Sequence, residues 1–289
     1  MPSVTRPTAV SLQLFLGTSA TSTKASRDAS RSRAAAGAAT SSRTRGSRSR
    51  LSPSTTRDFY DGLGGEELAN LFASAPAVYR ERAEMVAAVR SPERWLDVGA
   101  GHGHFCTIAR DALPNTRFDG LDLSQSIEDA ERRHWIERGI RGLFPDVAPK
   151  LVAEGASYDV ISMSHYLEHT TDPRAEIDAA SRVLHPGGLF FVEVPDPDCF
   201  FGRLLGRQWM QWFQPQHRHF LSAKNLGRLL REHGFEPVAW HRGEVHQPVD
   251  VTVSTYLMLA HITPLIDGPW RRTSNGAAVQ LLKGVLRTV

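Results

Sequence analysis

The stretch Arg94-Trp95-Leu96-Asp97-Val98-Gly99-Ala100-Gly101-His102-Gly103-His104-Phe105 constrains the fold of this chain more than any other. A short apolar strand, Trp95 to Val98, runs into three glycines at alternate positions, and Thr107-Ile108-Ala109-Arg110 then opens a helix. A strand, a glycine turn and a helix in that order begin a ligand-binding α/β unit. Glycine is needed where a ligand approaches the backbone closely or where the turn demands positive φ. The N–H groups of the first helical turn then face the ligand. A dinucleotide fingerprint has its third glycine three residues after the second, and His104 occupies that position here. The run is therefore G-x-G-x-G, with Asp97 two residues ahead of it.

Downstream, strands and helices alternate. Arg117–Asp122 reads as a second strand, Arg141–Phe144 as a brief third one ended by Pro145-Asp146, and Tyr158–Ser164 as a fourth. Leu189–Val194 and Phe235–Trp240 follow as the fifth and sixth. The helices between them are Ser126–Gly139, Asp172–Leu184 with Pro173 in its first turn, and Ser222–His233, stopped by Gly234. Apolar residues at helical spacing from Leu68 to Val89, broken at Pro76, predict two more helices ahead of the sheet. Near-continuous apolar strands mark a parallel sheet buried on both faces. The expected fold is a Rossmann-like, doubly wound α/β sheet with helices on both faces. Asp122 closes the second strand, where a carboxylate accepts hydrogen bonds from both ribose hydroxyls of an adenosine. Its other reading is an N-cap, for which Ser124 is the better candidate.

The charge is unevenly placed. The chain carries 34 Lys and Arg against 31 Asp and Glu, yet residues 1–57 hold ten of the former and one of the latter. The body is thus mildly acidic, which argues against a nucleic-acid-binding body, since a phosphate backbone attracts clustered positive charge. Residues 1–57 are rich in Ser, Thr, Arg and Ala and are expected to be a disordered tail. Their Arg- and Ser-rich, acid-poor composition also suits a transit peptide, which would make the location an organelle rather than the cytoplasm. An over-long translation start is a third reading. Residues 58–245 form the expected catalytic domain and 246–289 a C-terminal extension, in which Val251–Ile266 reads as strand or helix. Ala277–Leu286 is amphipathic and suits packing on the body, on a partner or on a membrane surface. No apolar run is long enough for a transmembrane helix. Cys106 and Cys199 have no metal-ligand spacing and no disulfide framework.

The stretches "WLDVGAGHGHF", "FDGLDLS", "YDVISMSHYLEH" and "VLHPGGLFFVEVP" resemble, in order and spacing, the motifs of class I S-adenosylmethionine (SAM) methyltransferases. The set looks most like the branch of ubiquinone-type O-methyltransferases, which carry a similar "LEH" after the fourth strand. The resemblance implies an antiparallel edge strand in the sheet and SAM as cofactor. It implies a cofactor site of Asp97, Gly99, Ala100, Gly101 and Gly103 at the methionine end, Asp122 and Leu123 at the ribose, and Phe144 and Ser164 beside them. It further implies an acceptor pocket after the fifth strand, where "PQHRHF" follows Trp209, Trp212 and Phe213. The catalytic candidates are His165, Glu168, His169, His217 and His219, since imidazole titrates near working pH.

His165-Tyr166-Leu167-Glu168-His169 also matches H-x-x-E-H, an inverted zinc-protease signature. Zinc there needs both histidines on one helical face, but the segment lies between a strand and Thr170-Thr171-Asp172-Pro173, with room for one turn at most. The expected site therefore has no metal ligands; resemblance to some ubiquinone-pathway enzymes permits a divalent cation on Glu168 and His169. The expected function is methyl transfer from SAM to a small aromatic or lipidic acceptor, with O-methylation favoured. No nucleic-acid partner is expected, peripheral membrane contact is allowed, and the oligomeric state is open. The rival readings are an NAD-dependent oxidoreductase and a non-catalytic SAM-binding protein.

Overall fold

A computed structural model describes residues 10–18, 76–212 and 216–244. Its strands are β1 (Val10–Thr18), β2 (Arg94–Val98), β3 (Arg117–Asp122), β4 (Arg138–Arg141), β5 (Tyr158–Ser164), β6 (Leu184–Pro195) and β7 (Phe235–Glu244). The helices are α1 (Pro76–Ala87), α2 (His104–Ala112), α3 (Ser126–Arg132), α4 (Phe144–Ala153), α5 (Pro173–Val183), α6 (Phe200–Leu205) and α7 (Ala223–Glu232). The strands form one sheet in the order β4-β3-β2-β5-β6-β1-β7. From β4 to β6 every pair is parallel. β1 runs antiparallel to both of its neighbours, so the edge strand β7 is antiparallel to the strand beside it.

The alternation along each central strand divides the core in two. Trp95, Phe118, Val160 and Phe191 face α1, α2 and α3, meeting Ala83, Val86, Phe105, Ala109 and Ile127. Leu96, Ile161, Phe190 and Val192 face α4, α5 and α7, meeting Phe144, Leu151, Ile177, Leu226 and Leu230. Both faces are covered, as a parallel sheet joined by helical crossovers requires. The rings of Phe105 and Phe118 lie 5.3 and 5.5 Å from that of Trp95, forming a firm base beneath the first turn of α2. Asp159 anchors the start of β2 by accepting the backbone N–H groups of Glu93 and Arg94. Asp172 caps α5 and Ser222 caps α7, each accepting backbone N–H from the first turn.

Several boundaries differ from the sequence expectation. The helix expected over Ser126–Gly139 ends at Arg132, and His134 takes a left-handed φ of 57° that no helix continues through. The third strand is therefore Arg138–Arg141 rather than Arg141–Phe144. Phe144 begins a helix instead of ending a strand, because Pro145 is tolerated in a first helical turn, where no N–H partner is lost. Val10–Thr18, inside the basic stretch expected to be disordered, is a strand. Its alternation of Val10, Leu12, Leu14 and Leu16 with Ser11 and Gln13 has the period of a strand, which the Arg- and Ser-rich average of the tail conceals. The helix expected before Pro76, Val251–Ile266 and Ala277–Leu286 lie outside the described residues. Among the described residues no helix is long and apolar enough to cross a membrane.

β1 is the only strand to which β7 is paired among the described residues. Deleting residues 1–20 is expected to lower the melting temperature and to speed amide hydrogen exchange across Phe235–Glu244. Unchanged exchange in β7 after the deletion would remove β1 from the sheet.

Candidate functional site

The carboxyl ends of β2, β3, β5 and β6 meet around the glycine turn. Gly99, Gly101 and Gly103 have φ of 82°, 55° and 75°, in the left-handed region that side chains disfavour. A Cβ on Gly101 would meet nothing within 4 Å, whereas one on Gly99 would stand 2.7 Å from the Tyr166 ring. The turn thus presents bare backbone to open space at Gly101 and is roofed by Tyr166 at Gly99. β3 holds the turn in shape. The Leu121 carbonyl accepts the Gly99 and Ala100 N–H groups, at 2.8 and 3.1 Å. Asp122 accepts the N–H of Gly101 at 2.9 Å with one oxygen and that of Ser124 at 2.8 Å with the other. The Ser126 hydroxyl donates to the Gly101 carbonyl at 3.0 Å and also meets the Ser124 hydroxyl.

Asp97 lies below this turn and is buried. The Ser162 hydroxyl donates to it at 2.6 Å, and the Trp95 indole N–H donates to Ser162 at 2.7 Å. Burial pushes the Asp97 carboxyl up to about 7, against the Ser162 hydrogen bond and the nearby Arg82 charge, which pull it down.

Beyond β5 the chain turns sharply. His165 has a φ of 50°, a strained value for a residue with a side chain. The strain points its ring between two buried carboxylates: Nδ1 lies 3.1 Å from Glu168 and Nε2 lies 3.1 Å from Glu193. Glu193 also takes a two-pronged ion pair from Arg82, at 2.6 and 3.0 Å, with side-chain exposures of 0% and 4%. Arg82, Glu193, His165 and Glu168 form a buried chain of alternating charge. Burial works against the charged ring, yet the two carboxylates outweigh it and raise His165 to about 9. Burial likewise opposes ionisation of Glu193 and Glu168, and their cationic partners overcome it and hold both below the usual carboxylate range.

Leu167–His169 form a single 3-10 turn. The Glu168 carbonyl accepts the N–H groups of Arg218 and His219, which tethers the loop after β6 to this turn. The loop thereby sets His217 against His169, ring centroids 4.6 Å apart and nearly perpendicular. His169 Nδ1 lies 3.3 Å from the Gln216 carbonyl and His217 Nδ1 lies 2.7 Å from the Gln211 carbonyl. Burial lowers His169, His217 and His219; for His217, with the His169 charge adding to it, the value is about 4. Glu168, His169 and His217 each place one ligand-capable atom within 4.8 Å of the other two. Trp209, Trp212 and Phe220 pack edge to face beside them, with centroid separations of 5.3 and 4.5 Å, and Phe220 lies against His217.

Most residues singled out from the sequence therefore gather at one edge of the sheet. Asp97, Gly99, Ala100, Gly101, Gly103, Asp122 and Leu123 surround the turn, and Ser164 sits at the end of β5. His165, Glu168, His169, His217 and His219 join the second cluster. Phe144 is different: it is fully buried in the core between the sheet and α5. Arg82, Glu193, Tyr166 and Ser162 join the site without having been candidates on sequence grounds. Glu193 had a visible signal, a lone carboxylate inside the apolar run Phe190-Phe191-Val192-Glu193-Val194.

A methyltransferase-domain profile matches residues 70–239. The chain belongs to that family. Among its relatives is the ubiquinone biosynthesis O-methyltransferase of Bordetella avium, 27% identical over 166 residues, covering 54% of this chain and 67% of that protein. The protein of the same name from Pseudomonas aeruginosa is 26% identical over 151 residues, covering 49% of this chain and 63% of the relative. A SAM-dependent methyltransferase structure from Archaeoglobus fulgidus aligns over 73% of this chain and 86% of its own, with 15% identity and a TM-score of 0.47. This protein is a SAM-dependent methyltransferase, and the family match displaces the NAD-dependent and non-catalytic alternatives.

Removing one member of a buried charge chain strands its partner. Arg82→Ala in the methyltransferase is expected to lower stability by about 3–5 kcal/mol in chemical denaturation. Arg82→Lys should recover part of the loss, since lysine restores the charge without the fork. A loss under about 1 kcal/mol, the scale of an exposed pair, would show that the chain is solvated.

Proposed function

We propose that this methyltransferase methylates a hydroxyl group of a small apolar or aromatic acceptor. The observation that carries the reading is the placement of Glu168, His169 and His217 beside Trp209, Trp212 and Phe220, at the same sheet edge as the glycine turn. Aromatic walls with a few convergent polar groups suit such an acceptor. The names of the relatives, ubiquinone biosynthesis O-methyltransferases, point the same way.

In this reading Gly99, Ala100, Gly101 and Gly103 offer backbone to the cofactor, Asp97 faces the methionine amino end and Asp122 faces the ribose. The open space over Gly101 and the carboxylate hydrogen-bonded to its N–H fit that group. SAM, when bound, supplies a methyl already activated on a sulfonium sulfur. The protein's share is alignment, for which positioning supplies on the order of 7–11 kcal/mol, and removal of the acceptor's proton. His165 is unsuited to the second task, since both ring nitrogens face carboxylates and the ring is held protonated. The task falls to the Glu168–His169–His217 group, whose histidines are neutral at pH 7, with His219 beside it. Leu123 and Ser164 complete the cofactor side.

Three outcomes test this assignment. Asp122→Ala is expected to weaken SAM binding at least several-fold in calorimetry, while NAD shows no binding to the parent protein; unchanged SAM affinity would remove the ribose role. His217→Ala is expected to lower turnover of hydroxylated aromatic acceptors by about 10²–10⁴ with SAM affinity retained, read as S-adenosylhomocysteine formed. The third concerns pH. A cationic ligand end beside Asp97 favours its ionised form, so binding below pH 7 must displace a proton. SAM affinity should therefore rise as pH approaches about 7 and level off above it, losing up to about tenfold per unit on the acid side. Asp97→Asn should flatten that profile.

A further inference from the structure

We infer that Tyr166 sets the size of the donor this site admits: its ring, held by Glu176, fills the crevice between the ends of β2 and β5 and limits the group carried on the cofactor's sulfur to about the size of a methyl. The inference rests on the cofactor and acceptor assignments proposed above. The order of the sheet reverses between β2 and β5, with β3 and β4 on one side and β6 on the other. In such sheets the ligand crevice opens at that point, beyond the carboxyl ends of the strands. The last pair joining the two strands is Asp97↔Ser162. Past it β2 runs into the glycine turn and β5 runs on to the bend at His165, so the strands part.

Tyr166 lies in that gap. A Cβ on Gly99 would stand 2.7 Å from its Cδ2, 3.3 Å from its Cγ and 3.4 Å from its Cβ, so the root of the ring rests on the bare backbone of the first glycine. The hydroxyl at the far end donates to the buried Glu176 of α5 at 3.1 Å. The ring is thus fixed at both ends, while the residue as a whole stays partly exposed to what enters the crevice. Burial, with the Glu176 and Asp122 charges beside it, holds the phenol well above its usual value, so it remains a donor at working pH. Burial also raises Glu176 to about 7, against the pull of that hydrogen bond and with the Asp172 and Asp146 charges adding to it. Either form of the carboxyl has an oxygen that accepts the phenol proton.

Position explains why the ring would meet the transferred group. The turn on which Tyr166 rests is the one assigned to the methionine end of the cofactor. The residue after Tyr166 opens the 3-10 turn that carries Glu168 and His169, on the acceptor side. A group passing from the sulfur to an acceptor beside those side chains therefore crosses Tyr166. A methyl needs little room there, and a larger group meets the ring. In a closed pocket a misfit of even one methylene changes discrimination by on the order of 10–200-fold. Glycine at position 99 is the other half of the fit, since a side chain there would displace the ring.

The test compares, by calorimetry on the full-length protein, SAM with its analogue carrying benzyl in place of methyl on sulfur. The parent protein is expected to bind the analogue at least about tenfold more weakly than SAM. Tyr166→Ala should reduce that ratio at least several-fold, and Tyr166→Leu serves the same purpose if alanine there does not fold. Tyr166→Phe and Glu176→Leu each free the far end of the ring and should reduce the ratio by smaller, similar factors. Combined, they should do no more than either alone, because both remove one hydrogen bond. Glu176→Gln keeps an acceptor for the phenol and should retain the parent ratio. The ratio compares two ligands on one protein, so a general loss of stability does not move it. A ratio unchanged by Tyr166→Ala or Tyr166→Leu would overturn the inference, as would a parent protein that binds both ligands alike. Additive effects of Tyr166→Phe and Glu176→Leu would remove Glu176 as the anchor. Absence of SAM binding in the parent protein would count against the cofactor reading instead.

Discussion

The hydrogen bond from the Gly101 N–H to Asp122 connects the sheet to its chemistry. A run of glycines with positive φ is conformationally loose on its own, since glycine loses the most backbone freedom on folding. Here β3 removes that freedom by taking three consecutive amides of the turn: Leu121 receives Gly99 and Ala100, and Asp122 receives Gly101. The Ser126 hydroxyl closes the arrangement from the other side. The turn is therefore shaped before any ligand arrives. A ligand that meets a preorganised surface spends less of its interaction energy on ordering it.

Next to that backbone cradle stands a different kind of construction. Arg82, Glu193, His165 and Glu168 alternate in sign; all but the partly exposed His165 sit almost entirely out of water. Taking isolated charges into such a place is expensive, and only close pairing with hydrogen bonds offsets it. The arrangement also explains the backbone strain at His165, because a φ of 50° is what swings the ring to both carboxylates at once. Since α1, the bend after β5, the 3-10 turn and β6 each contribute a member, the chain joins elements far apart in sequence.

The sequence was legible where residue type and position are both dictated by geometry. Three glycines after an apolar strand and an acid ending the next strand admit few readings, and the structure places Asp97, Gly101 and Asp122 at one edge of the sheet. It was less legible where long-range contact overrides local pattern. Trp135 and Ile136 continue an apolar spacing from Ile127 and Ala130, so nothing local shows that α3 stops at Arg132. Phe144 reads as the end of a strand until Pro145 is understood as a helix start. Arg82 looks like any surface arginine of a polar helix, and only its partner 111 residues away reveals it. Glu193 is the instructive miss, for a carboxylate in a strand covered on both faces needs a cation, a hydrogen-bond donor or a proton of its own.

β1 has a bearing on how the chain folds. Its residues pair with Gly17↔Leu189 on one side and Thr18↔Phe235 on the other, joining β1 to strands far downstream in the sequence. During synthesis that segment is made before β6 and β7 and stays without these partners until both have left the ribosome. Contacts so distant along the chain slow the final step of assembly, because the loop must close before they reward it. Until then β6 has an open flank, and edges of that kind invite pairing with other chains. The delayed pairing of β1 thus sets a window in which the growing chain is most exposed to aggregation.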